Sequence, residues 1–145
     1  MLGLAAEQAD GAHSYFVPPE HTARAREILG NDRVLAVEQA VVLETNATKA
    51  REIARAHTSR YLALPNYVNN LRRLGFDDAD VANSGSDRLV DAIVAWGDVA
   101  AVTDRIRAHQ SAGASHVCVQ VLPADPQALP DREWRELASA LLTKR

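Results

Sequence analysis

Residues 33–44 read RVLAVEQAVVLE, and the reading of this stretch decides the fold. Side chains alternate along a strand, so Leu35, Val37, Gln39, Val41 and Leu43 share one face, and Val34, Ala36, Glu38, Ala40 and Val42 the other. Each face is apolar apart from a single polar residue near its middle. A strand that is apolar on both faces needs cover on both, which is the condition inside a parallel sheet whose crossover helices lie on its faces.

Working outward, SHVCVQVL (115–122) is a second strand, with Val117, Val119 and Val121 on a face suited to packing helices. Its other face, His116, Cys118, Gln120 and Leu122, is mixed. Such a face suits the interior of a barrel, where the residue nearest the C-terminal end of the strand meets ligand. Upstream, AHSYFV (12–17) is a short strand between Asp10-Gly11, which ends a helix over 1–9, and Pro18-Pro19.

The intervening segments carry helical spacing. EHTARAREIL (20–29) is closed by Gly30. Residues 48–64 place Ala50, Ile53, Ala54, His57 and Tyr61 on one stripe, and Pro65 breaks them. NYVNNLRRLGF (66–76) gives a short helix, capped by Asn66, with Tyr67, Leu71 and Leu74 on one side. Residues 77–85 read as a polar connection. Ser86 opens a helix to 97, and Asp98 caps the next, with stripe Val99, Val102, Ile106 and His109. An amphipathic helix over 131–142 carries Trp134, Leu137, Ala138 and Leu141.

Strands alternating with helices predict parallel βαβ units and an α/β fold. Three strands are too few for the eight of a closed (β/α)8 barrel. The chain therefore reads as a single domain over 1–145 that looks like the tail of such a barrel, a partial (β/α)8-like fold with about three parallel strands.

Composition bounds the function. The chain has 145 residues, 47% of them hydrophobic and 24% charged, with a formal net charge of −3. That balance gives no electrostatic footprint for nucleic acid or an anionic membrane. No apolar run reaches the roughly 20 residues of a membrane span, and MLGLAA lacks the basic start of a signal peptide. The single cysteine, Cys118, excludes an internal disulfide and fits a cytoplasmic protein. No HExxH spacing, GxGxxG or P-loop is present, and no metal is predicted.

Four segments in this order, LAAEQADGAHSYFVPPEHTARAREILG, LALPNYVNNLRRLGF, SDRLVDAIVAWGD and AGASHVCVQVL, resemble the C-terminal half of the luciferase-like monooxygenase superfamily. Within it they are similar to the actinobacterial branch of coenzyme F420-dependent oxidoreductases. The resemblance runs from about Leu2 to Leu142. It implies a TIM-like barrel that binds F420, or FMN in sister branches, at the C-terminal ends of its strands and passes hydride between the ring and a small organic substrate. It also implies that the early strands, which carry most ring-binding groups in relatives, lie outside this chain, in a complementing N-terminal half.

Against that expectation, His13 and Tyr15 are candidate cofactor contacts at a strand end, or else a strand end packed under a helix. Gln120, the polar residue nearest the end of its strand, contacts cofactor or hydrogen-bonds inside the barrel. The resemblance places Tyr67 and Asn70 at the substrate entrance, with a plain surface helix as the alternative. Glu38 works in acid–base chemistry or, with Gln39, satisfies polar groups inside the barrel and at a helix end. His57 and His109 read as packed, hydrogen-bonded core histidines. Arg72-Arg73 reads as a solvated helix face, or as a contact to the acidic tail of F420.

Two functions follow. One is an F420- or FMN-dependent oxidoreductase with no assigned catalytic residue. The other is a non-catalytic half-barrel that dimerises, because unpaired strand edges and exposed apolar interior surface invite a second chain.

Overall fold

A computed structural model describes residues 1–142. The predicted helices form α1 (Leu2–Gln8), α2 (Pro19–Leu29), α3 (Ala47–Leu62), α4 (Pro65–Arg73), α6 (Asp87–Ile93), α7 (Val99–Ser111) and α8 (Asp131–Leu141), and one further turn, α5 (Asp78–Val81), occupies the expected polar connection. The strands are β1 (Gly11–Ser14), β2 (Val34–Val42), β3 (Ala95–Trp96) and β4 (His116–Val121). The expected single domain includes residues 143–145, which lie outside the described residues.

All pairings are parallel and all involve β2. β4 runs along one edge, from Ala36↔His116 to Val41↔Val121. β1 takes the other edge, from Gly11↔Val34 to Ser14↔Val37. Val41 already pairs with β4, so β3, paired at Val41↔Ala95 and Val42↔Trp96, shares the edge of β1 further along. The expectation of three strands is corrected to four. The sequence assigned Ala95-Trp96 to the end of a helix over 86–97, but that helix ends at Ile93 and Val94 is already extended. A two-residue strand carries too little periodicity to register.

The two faces of β2 are covered differently. Leu35, Val37 and Val41 pack outward against α2, α7 and α8 in two apolar clusters. On the inner face, Ala40 and Val42 pack under α3, α4 and α6 with Phe16, Leu71, Phe76, Leu89 and Val90. Helices α3 to α6 thus cap the C-terminal half of the inner face. The rest of that face is open, and its exposed residues include His13, His116 and Gln120 as well as Val34. The expected apolar interior surface is in large part polar where it is uncovered.

Local chemistry explains the joints. Asn46, Ser86 and Asp98 accept from the backbone N–H groups of Lys49, Leu89 and Ala101, each capping its helix. Asn66 does not cap α4. Pro65 occupies the first turn and Leu64 is the N-cap, so Asn66 lies inside the helix. Gly11 meets Val34 so closely that an added Cβ would sit 2.1 Å from the Val34 carbonyl oxygen. Arg26 fastens the opposite end of the sheet, donating to the carbonyls of Gly30, Arg33 and Gly113 and to Ser115 Oγ.

Candidate active site at the strand ends

β1 stops at Ser14, and Phe16 then adopts φ of 59°, a left-handed conformation that costs a bulky side chain about 1–3 kcal/mol. What holds it is Glu38. Its Oε2 accepts from the Phe16 backbone N–H at 3.3 Å, where the next strand bond would have been. The Phe16 ring is 1% exposed and stacks on Tyr61 at 4.8 Å, with Tyr67 edge-on to both.

The same kink aims Tyr15 across the sheet. Tyr15 Oη donates to Gln120 Oε1 at 2.8 Å and lies 2.8 Å from Tyr61 Oη. A phenol has one proton, so with Gln120 taking that of Tyr15, Tyr61 is the donor in the second bond. Burial and the nearby Glu38 carboxyl push the Tyr15 phenol upward, which keeps it neutral and donating. His13 lies one row down, its ring 6.5 Å from that of Tyr15.

Glu38 is the inner-face neighbour of Cys118 and is 5% exposed. Burial raises its carboxyl to about 7, opposed by the Phe16 N–H. Its second oxygen, Oε1, is buried without a partner among the described residues. His57 is the other unsatisfied group. It packs on Phe16 and Tyr61, and burial, with Arg60 nearby, lowers it to about 4. Its Nε2 has no partner among the described residues, which corrects the expected hydrogen-bonded histidine. His57, Arg60 and Gln120 line one cleft of about 190 Å³, together with Pro123 and Pro126.

His109 meets the expectation. Gln39 Nε2 donates to the carbonyls of Ala40 and Ile93, so its Oε1 accepts from His109 Nε2 at 2.8 Å, and His109 Nδ1 then accepts from Thr22 at 2.8 Å. Of the polar pair in β2, Gln39 serves a helix end and Glu38 the inner face. No cluster of metal-ligating side chains occurs among the described residues.

The fold therefore gathers His13, Tyr15, Gln120 and, through Tyr61, Tyr67 into one strand-end cluster. Asn70 is not part of it. It lines a separate cleft beside α1 and α2. The sequence reading missed Tyr61 and Phe16 as site residues. The α3 stripe contained Tyr61, but nothing local signals a positive φ at Phe16.

Two of the solved structures that resemble this chain illustrate the likeness. One is an F420-dependent secondary alcohol dehydrogenase in complex with an F420–acetone adduct, 17% identical, with a TM-score of 0.60 over 86% of this chain and 41% of the other. The second is a coenzyme F420-dependent tetrahydromethanopterin reductase from Methanopyrus kandleri, 21% identical, with a TM-score of 0.66 over 95% of this chain and 46% of the other. The chain shares their fold. It spans less than half the length of either. No family model matches the sequence, and no curated protein is detectably similar to it. Among the described residues, no helix is long and apolar enough to cross a membrane.

Proposed function

We propose that this chain forms part of an F420-dependent oxidoreductase of the luciferase-like type, acting on a small organic substrate, with the strand-end cluster as its share of the active site. The observation that carries this is the alignment of 95% of the chain with an F420-dependent reductase, together with the rule that barrel chemistry gathers at the C-terminal strand ends. F420 supplies hydride transfer when bound; the chain's residues bind and orient.

The residues suit such a group. Tyr15 and Gln120 set a phenol and an amide beside His13, and Glu38, close enough to raise the Tyr15 phenol, keeps one buried oxygen without a partner among the described residues. In this reading His13, Tyr15 and Gln120 contact the cofactor, Tyr67 borders the substrate, and Glu38 holds a proton near neutral pH, the range useful to a general acid or base. FMN is the alternative ring. Both structural neighbours favour F420.

Titrating the purified chain with F420 and, separately, with FMN while following cofactor fluorescence tests this. Roughly micromolar F420 binding, weakened in Y15F and Q120A, supports the reading. Absence of binding to either ring removes the enzyme reading for this chain.

One observation favours a second reading, a half-barrel that assembles with another copy or with a complementing half. Among the described residues β4 and β1 each pair along one edge only, and beside β4 a cleft of about 440 Å³ is bordered by Trp134 and Leu142, 47% and 74% exposed. Sedimentation showing a stable folded monomer rejects it.

A further inference from the structure

The cleft that holds Asn70 is chemically unlike the strand-end site. It measures about 380 Å³, inside the roughly 300–1,000 Å³ typical of small-molecule sites. Its walls come from α2 (His21, Arg24, Ile28) and from α4 with its C-cap (Asn70, Arg73, Leu74), and Met1 and the start of α1 lie at one end. No carboxylate lines it.

Two arginines border it, both without a carboxylate partner among the described residues. Arg51, Arg55, Arg72, Arg88, Arg132 and Arg135 all reach carboxylates. Arg24 and Arg73 make no ion pair and no side-chain hydrogen bond among the described residues, yet they sit on different helices and border the same cleft. His21 adds a third signal. Its Nδ1 is buried and has no partner, whereas buried polar atoms are ordinarily satisfied. Burial and the adjacent Arg24 both lower its charge affinity, so it is neutral at pH 7. Two guanidinium forks, a neutral imidazole and an amide around an acid-free hollow are the donor set that oxyanions take.

We propose that the cleft between α2 and α4 is an anion-binding site, in which Arg24 and Arg73 grip a phosphate or carboxylate group and Asn70 and His21 complete its hydrogen bonds. The site stands on its own geometry and does not require the strand-end cluster to bind a ring. Asn70 thereby acquires a role in holding an anion, in place of the expected position beside Tyr67.

Calorimetric titration of the full chain with inorganic phosphate, and separately with succinate, at low salt tests the proposal. Saturable binding of either probe is expected. R24Q and R73Q should each weaken it at least about tenfold, the scale of one charge-assisted hydrogen bond. R107Q, which removes an exposed charge elsewhere, should leave it unchanged. Repeating the phosphate titration in the presence of F420 identifies the source of the anion. Competition assigns it to the cofactor's own phosphate, and additive binding assigns it to a substrate; both sustain the site. Failure of both probes to bind, or equal loss in R107Q and R24Q, overturns it. These outcomes are separate from ring binding, which the fluorescence titration reads.

Discussion

His57 and His109 are two buried histidines on helix stripes, both lowered to about 4 by burial, and they lie on opposite sides of one sheet. On the outer side, His109 is 0% exposed and has both ring nitrogens bonded, to Thr22 of α2 and Gln39 of β2. On the capped inner side, His57 packs among aromatic rings with Nε2 unsatisfied, in the company of the orphaned Glu38 oxygen and the strained Phe16. Around His109 the outer layer is closed, with both ring nitrogens and the Gln39 amide paired. The strand-end layer is unfinished in just the places where a ligand would supply partners. Unmet hydrogen-bonding capacity and backbone strain persist only where function or surrounding structure sustains them.

Substitutions sharpen this contrast. The largest effect is expected from H109F, which leaves Gln39 Oε1 and the Thr22 hydroxyl buried without partners. It should lower the unfolding free energy by about 3 kcal/mol in urea titration, as two stranded polar groups imply.

Next is the pH response of Glu38. Its carboxyl is raised from 4.5 unfolded to about 7 folded, so the folded chain binds the proton more tightly. The Glu38 contribution to stability should fall as pH rises from 4.5 to 7, by on the order of 3 kcal/mol when complete, read as the difference between the native chain and E38Q. E38Q should remove that slope and be the more stable protein above pH 7, with the two converging below 4.5; thermal unfolding across this range checks it. The histidines act in the opposite sense. Lowered from 6.5 to about 4, they contribute stability that is intact above 6.5 and is lost as pH falls toward 4.

Y15F should cost about 1 kcal/mol by separating Tyr61 from Gln120, measured by the same unfolding. The smallest effect is reserved for H57F. It removes a nitrogen that bonds to nothing and keeps the ring packing, so it should change stability by less than about 1 kcal/mol, and in the stabilising direction. If H57F and H109F were equally damaging, the contrast between the two layers would fail.

Much of this was legible in the sequence. The doubly apolar faces of β2 announced a covered parallel strand, the valines of β4 announced their helix-facing side, and Ser86 and Asp98 announced their helices. Glu38 and Gln39 stood out as polar interruptions, and each proved to serve one face. The two-residue β3 escaped, since it has no period to read, and Asn66 misled, since Pro65 takes the first helical position. His13, Tyr15 and Gln120 were singled out as strand-end residues, but Tyr61, which ties two of them together, was seen only as part of a stripe.

By itself the sequence determined the alternation of strands and helices and the apolar stripes that pack them, because these follow from the short periods of side chains along one segment. Tertiary structure alone decided which polar groups meet. Tyr15 reaches Gln120 across 105 residues of chain, His109 reaches Gln39 across 70, and Arg24 and Arg73 share a cleft through two separate helices. Such encounters depend on how elements are laid against each other, and no local spacing encodes that.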